Sequence, residues 1–127
     1  MPCRYAIDTG LGLVISTGWG RVTFDEMKAH QDRLLSDPDF DPKFNQLVDG
    51  TAVTVLEATP DELKIIIGRR FFSPTSRRAF LANSLPILGM GRLMELYSKM
   101  ETGREQICLF HDRESAMRWL GNEVPPV

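Results

Sequence analysis

The pattern of hydrophobic and polar positions divides the chain into alternating strands and helices. Residues 3–9 and 11–17 read as two strands joined by a turn at Gly10. Leu11, Leu13 and Ile15 share one face of the second strand and Val14 lies on the other, so this strand is expected to be buried on both sides. Gly18-Trp19-Gly20 is read as its end. Thr23-Phe24-Asp25-Glu26 has the form of a capping box and opens a helix that reaches Ser36, with Met27, Gln31, Leu34 and Leu35 as its inward stripe. The run DPDFDP, residues 37–42, stops that helix, because proline cannot continue its hydrogen bonding.

The centre of the chain is FNQLVDGTAVTVLEATPDELKIII, residues 44–67. It predicts a third strand over 44–48, Asp49 at that strand's end, a loop over 50–59, and a helix over 60–72. Thr59 supplies the cap of this helix, Pro60 its first position and Glu62 a second capping box. Residues 77–83 predict a fourth strand. Ser84 caps a helix with Ile87, Met90, Leu93, Met94, Tyr97 and Met100 at helical spacing, closed by Gly103. Residues 105–110 predict a fifth strand. Asp112 caps a final helix that buries Ala116, Met117 and Leu120, pairs Glu114 with Arg118 and ends at Gly121, leaving 122–127 as a loose tail.

The order β-β-α-β-α-β-α-β-α predicts an α/β fold in a single domain over residues 1–127. Its five-stranded sheet is mostly parallel, with an antiparallel first strand and right-handed crossovers. Strand order across the sheet stays open. In open α/β sheets ligands and partners gather at the carboxyl ends of the strands, which singles out Asp49 and the stretch from Gly50 to Thr59.

Composition narrows the function classes. The chain has 127 residues, 43% hydrophobic and 25% charged, with a formal net charge of -2. That suits one domain and argues against a nucleic-acid binder. No run approaches the ~18 uninterrupted apolar residues of a membrane span. The opening MPCRYAIDTG lacks the basic-then-apolar layout of a signal peptide, so the cytoplasm is the expected location. Cys3 and Cys108 match no metal or redox spacing and suit a reducing compartment.

Candidate chemistry is sparse, and neither a metal site nor a cofactor is expected. His30 falls within a helix and His111 follows the last strand, with nothing in the spacing to bring them together. Asp37, Asp39 and Asp41 open like a calcium loop, but Pro42 and Val48 stand where a glycine and a glutamate are needed. No nucleotide-binding glycine motif and no nucleophile elbow is present. Arg69, Arg70, Arg77 and Arg78 bracket a loop containing Phe71 and Phe72. They form either an anion-contact patch or a solvated helix end suited to the helix dipole. The methionines of the 87–100 stripe serve either the core or an adaptable binding surface.

The β-hairpin, the phrase LVDGTAV before a capped helix, and the closing pattern ICLFHDRESAMRWL resemble the SpoIIAA-like branch of the STAS superfamily, the sulfate-transporter and anti-sigma-factor-antagonist domains. The likeness spans nearly the whole chain, and Phe110, Asp112, Ala116, Trp119 and Leu120 are its most specific part. It implies a mostly parallel βα fold of bacterial type. In the anti-sigma-factor antagonists the loop before the second helix carries an Asp-Ser-Ser/Ala-Gly motif whose serine is phosphorylated. The matching place here is Glu57-Ala58-Thr59-Pro60. Ala58 and Thr59 replace the serines and the glycine is absent, leaving Thr59 as either phosphoacceptor or simple cap. Three functions follow as expectations. The first is a non-catalytic regulatory module binding a protein partner through Asp49, Gly50, Thr51, Ala58 and Thr59. The second is a small-molecule or lipid-binding domain using the Met-lined helix and the arginines. The third is an enzyme, which needs a pocket enclosing Asp49, His111 and Asp112. A two-fold homodimer is a further expectation.

Overall fold

In the computed structural model, residues 2–103 and 106–121 are described. The elements are β1 (Cys3–Asp8), β2 (Leu13–Thr23), α1 (Phe24–Leu35), β3 (Asn45–Glu57), α2 (Pro60–Gly68), β4 (Arg78–Leu81), α3 (Leu85–Thr102), β5 (Ile107–Phe110) and α4 (Arg113–Trp119). Glu105 of the predicted fifth strand and the tail lie outside the described residues.

The strands lie side by side in sequence order, β1-β2-β3-β4-β5, with β1 antiparallel to β2 and the other pairs parallel. Three crossovers stepping the same way across a sheet bring their helices to one face when all share one hand. α1, α2 and α3 accordingly cover a common face, where Leu63, Ile67, Met94 and Ile107 pack together and Leu34 meets Val14. α4 follows the last strand and folds to the opposite face. There Ala116 and Leu120 close over Leu13, Leu47, Ala79 and Leu81. The double burial expected of the second strand is met, with Leu13 toward α4 and Val14 toward α1.

Two strands run further than the residue pattern suggests. β2 does not end at Gly18-Trp19-Gly20 but continues to Thr23, absorbing the glycines in register shifts between Thr17 and Trp19 and between Gly20 and Arg21. Gly20 has φ +62°, a backbone state that glycine adopts without strain, and Gly18 lies where a Cβ would come within 3.1 Å of Val53 Cγ2. β3 likewise does not stop at Val48. The segment read as a loop over 50–59 is strand as far as Glu57, because Thr51, Val53, Thr54 and Val55 are β-branched and β2 extends far enough to pair with them. Asp49 is thus not a strand terminus, although pairing with β4 ends there, opposite Leu81.

Both capping boxes are formed. Glu26 N–H donates to Thr23 Oγ1 at 3.2 Å and Glu62 N–H to Thr59 Oγ1 at 3.1 Å, and each glutamate returns a bond to the cap's own N–H. α2 stops at Gly68 rather than running to residue 72: Arg70 turns the chain at φ 39°, and Phe71 and Phe72 then pack against Phe40 with centroids 5.9 and 5.2 Å away. β4 is shorter than the predicted 77–83. Ser84 precedes α3 without a side-chain cap bond, and Gly103 closes that helix at φ +69°.

Candidate functional site

Between the sheet and its three-helix face lies a cavity of about 120 Å3. β2, β3 and β4 supply its floor, and α1, α2 and α3 its roof. Val22, Val53, Leu56, Ile67, Ile87 and Met94 give most of the wall an apolar character. Polar side chains gather at one end: Ser16, His30, Gln31, Gln46 and Arg78, each no more than 9% exposed.

Strand register explains this cluster. Gln46 pairs with Arg78 of β4 and with Val14 of β2, and alternation then turns Ser16 to the same face. A continuous hydrogen-bonded row results. Arg78 Nε donates to Gln46 Oε1 at 3.0 Å, Gln46 Nε2 donates to Ser16 Oγ at 3.0 Å, and Ser16 Oγ lies 2.9 Å from His30 Nε2. Gln31 stands one position beyond His30 on α1, its Nε2 donating to the Ile66 carbonyl at 3.3 Å while its Oε1 accepts from Arg69.

Two groups in this row stand apart from the others, one by a buried atom without a partner and one by a buried charge without an ion pair among the described residues. His30 Nδ1 is buried without a hydrogen-bond partner among the described residues. Burial, with a smaller contribution from Arg33, holds the imidazole neutral by pulling its pKa down to about 4. Arg78 is 7% exposed, and burial draws its pKa down to about 10. Its guanidinium lies 4.8 Å from the centroid of Phe72 and 5.9 Å from that of Phe71. Among the described residues no carboxylate approaches it to ion-pair distance.

The four arginines of the expected patch point to separate surroundings. Arg69 bridges to Asp32 and to the Lys28 carbonyl, drawing the Asp32 carboxyl below its usual range, and Arg70 pairs with Glu101. Arg77 donates to the Trp119 carbonyl at 2.7 Å and lies 5.7 Å from that indole ring. Arg78 alone turns inward to the cavity, and it also borders an outer cleft with Arg70, Ser98, Glu101 and Gln106.

The other singled-out residues are arranged as follows. Asp49 lies on β3 at the cavity's edge, its Oδ1 accepting from Thr51 N–H and Oγ1 at 3.0 and 2.7 Å, its Oδ2 3.7 Å from Arg113. Gly50 fits where a Cβ would come within 3.1 Å of the Leu81 carbonyl oxygen. Ala58 packs beside the α2–α3 core, and the Thr59 hydroxyl is engaged in its cap. His30 and Asp49 border the cavity, whereas His111 and Asp112 are exposed outside it. Cys3 and Cys108 lie on β1 and β5, at opposite edges of the sheet, and form no disulfide with each other; burial raises the Cys3 pKa. Among the described residues no helix is long and apolar enough to cross a membrane.

The residue pattern discloses the polar row only in part. Arg78 stood among the anion-contact candidates. Ser16 and Gln46 did not, although each interrupts an inward-facing apolar series, and Gln31 sat unremarked in the apolar stripe of its helix. A polar residue at an inward position was the available signal.

No protein-family model matches this chain, and no curated protein matches it. Among solved structures, it is similar to an uncharacterised protein of the DUF3478 family with a SpoIIAA-like fold from Shewanella loihica PV-4, at 18% sequence identity and a TM-score of 0.61 over 93% of each chain. The expected architecture is therefore present: an α/β domain with a mixed five-stranded sheet, antiparallel only at β1, in a SpoIIAA-like fold.

Proposed function

We propose that this protein is a non-catalytic binding module whose interior cavity takes a small, largely apolar ligand. The observation that carries this reading is the cavity itself. Protein interiors are packed to crystal-like density, and voids larger than a water molecule are few. A 127-residue domain has little reason to carry such a void unless something fills it. An apolar wall with a few convergent polar groups at one end is the usual make-up of a small-molecule site.

Native mass spectrometry of freshly purified protein should show a retained mass. A thermal-shift series with apolar probes should raise the melting temperature in proportion to how well each fills the space. A clean apo mass together with a melting temperature unmoved by every probe sinks the proposal.

A second reading is favoured by the rim of the sheet. From Gly50 to Glu57, β3 pairs with β2 alone, since β4 pairing ends at Asp49. Trp19 is 39% exposed nearby and Val55 47%. An unpaired strand edge of this kind suits a protein partner that adds a strand, or a second copy of the chain. Pull-down with Asp49→Ala and Thr59→Glu tests it: capture undiminished by both variants counts against docking through this rim. A regulatory role belongs to this second reading.

A further inference from the structure

We infer that the ligand of the cavity is a small amphiphilic monocarboxylate, its acid group bound by the Arg78 guanidinium and its apolar body lying among Val53, Ile67, Ile87 and Met94. This rests on the ligand-binding reading above and adds the ligand's chemical class.

A buried cation is ordinarily held beside an anion, and Arg78 has none among the described residues. Its neighbours are the Gln46 amide oxygen and the face of Phe72 at 4.8 Å. A ring face offsets only part of the lost hydration of a guanidinium. Nε is committed to Gln46, which leaves the terminal Nη groups, and that pair is the fork that matches the two oxygens of a carboxylate.

Charge counting selects a single negative charge. Ser16, Gln31 and Gln46 are neutral and His30 is held neutral by burial, so the polar end offers one positive charge; the one carboxylate at the cavity's edge among the described residues, Asp49, lies 3.7 Å from Arg113. A dianionic phosphate would bring a second, uncompensated charge into the interior, and a neutral ligand would leave the arginine as it stands. Size selects a short chain. A water occupies about 10–15 Å3 on the same measure, so 120 Å3 has room for roughly eight to twelve non-hydrogen atoms.

Octanoate and octan-1-ol, which share a hydrocarbon length and differ in head-group charge, are suitable probes for calorimetric titration at pH 7. The wild-type protein should bind octanoate at least tenfold more tightly than octan-1-ol. Arg78→Met should abolish that preference while keeping its affinity for the alcohol. Equal binding of the two probes by wild type overturns the monocarboxylate assignment and leaves the cavity reading standing. Binding of neither overturns both. Persistence of the octanoate preference in Arg78→Met also overturns the assignment, because the anion is then recognised elsewhere. Should that variant fail to fold, wild type with 13C-carboxyl octanoate decides: beside Arg78 the bound acid titrates below its free value, and an unchanged or raised value rejects the pairing.

Discussion

His30 is the residue whose surroundings most constrain the protein's response to pH. The ring is packed edge-on against Tyr5 at 5.5 Å, touches Ser16 through Nε2 and leaves Nδ1 without a partner among the described residues. Arg33, three positions further along α1, adds positive charge, and among the described residues no acidic group offsets the burial. The folded-state pKa of about 4 lies below the ordinary value of 6.5, so between those values the unfolded chain binds a proton that the native state refuses. Stability is therefore full above pH 6.5 and declines as pH falls toward 4, by on the order of 3 kcal/mol from this group. Urea unfolding midpoints measured from pH 7.5 to 4 should show this decline, and His30→Gln should flatten most of it. An equally steep decline in the variant assigns the effect to other groups.

At the scale of elements, local chemistry and long-range pairing differ in how far the sequence discloses them. The capping boxes at Thr23 and Thr59 were legible because every atom they need lies within four residues. Their contribution is testable: Thr59→Ala should lower the unfolding free energy by about 1 kcal/mol, with loss of helical signal confined to α2. A change below ~0.3 kcal/mol would mean that packing of Leu63, Ile66 and Ile67 holds this helix without its cap. The second halves of β2 and β3 were not legible in the same way. Gly18, Gly20 and Gly50 each read locally as a break, yet ten pairings between the two strands, running from Leu13–Asn45 to Thr23–Glu57, hold them extended. The β-branched run Val53-Thr54-Val55 carried that information, but a helix cap two residues past Glu57 made a loop the natural reading. The end of α2 was missed for a comparable reason. Phe71 lies four residues after Ile67, in phase with the helix's apolar face, and only contacts distant in sequence, with Phe40, Val14 and Leu34, draw Phe71 and Phe72 out of the helix.

For the molecule as a whole, the interior row from Arg78 to His30 sets stability against binding, and the two can be separated by experiment. Removing Arg78 alone relieves an uncompensated buried charge but leaves Gln46 Oε1 without its donor, an orphaned acceptor worth about 1–3 kcal/mol. Arg78→Met by itself should therefore shift the urea midpoint little, the two effects opposing each other. Replacing both residues, as Arg78→Met with Gln46→Leu, removes the charge and the orphan together. Buried polar groups exchanged for apolar ones of similar volume are often neutral or stabilising. The double variant should accordingly match or exceed wild type in ligand-free unfolding experiments, while failing to gain the extra stability that a saturating carboxylate confers on wild type. A structural role predicts the reverse. If the arginine and glutamine are kept to hold β3 against β4, the double variant loses several kcal/mol without any ligand present, and its far-UV spectrum reports loosened sheet pairing.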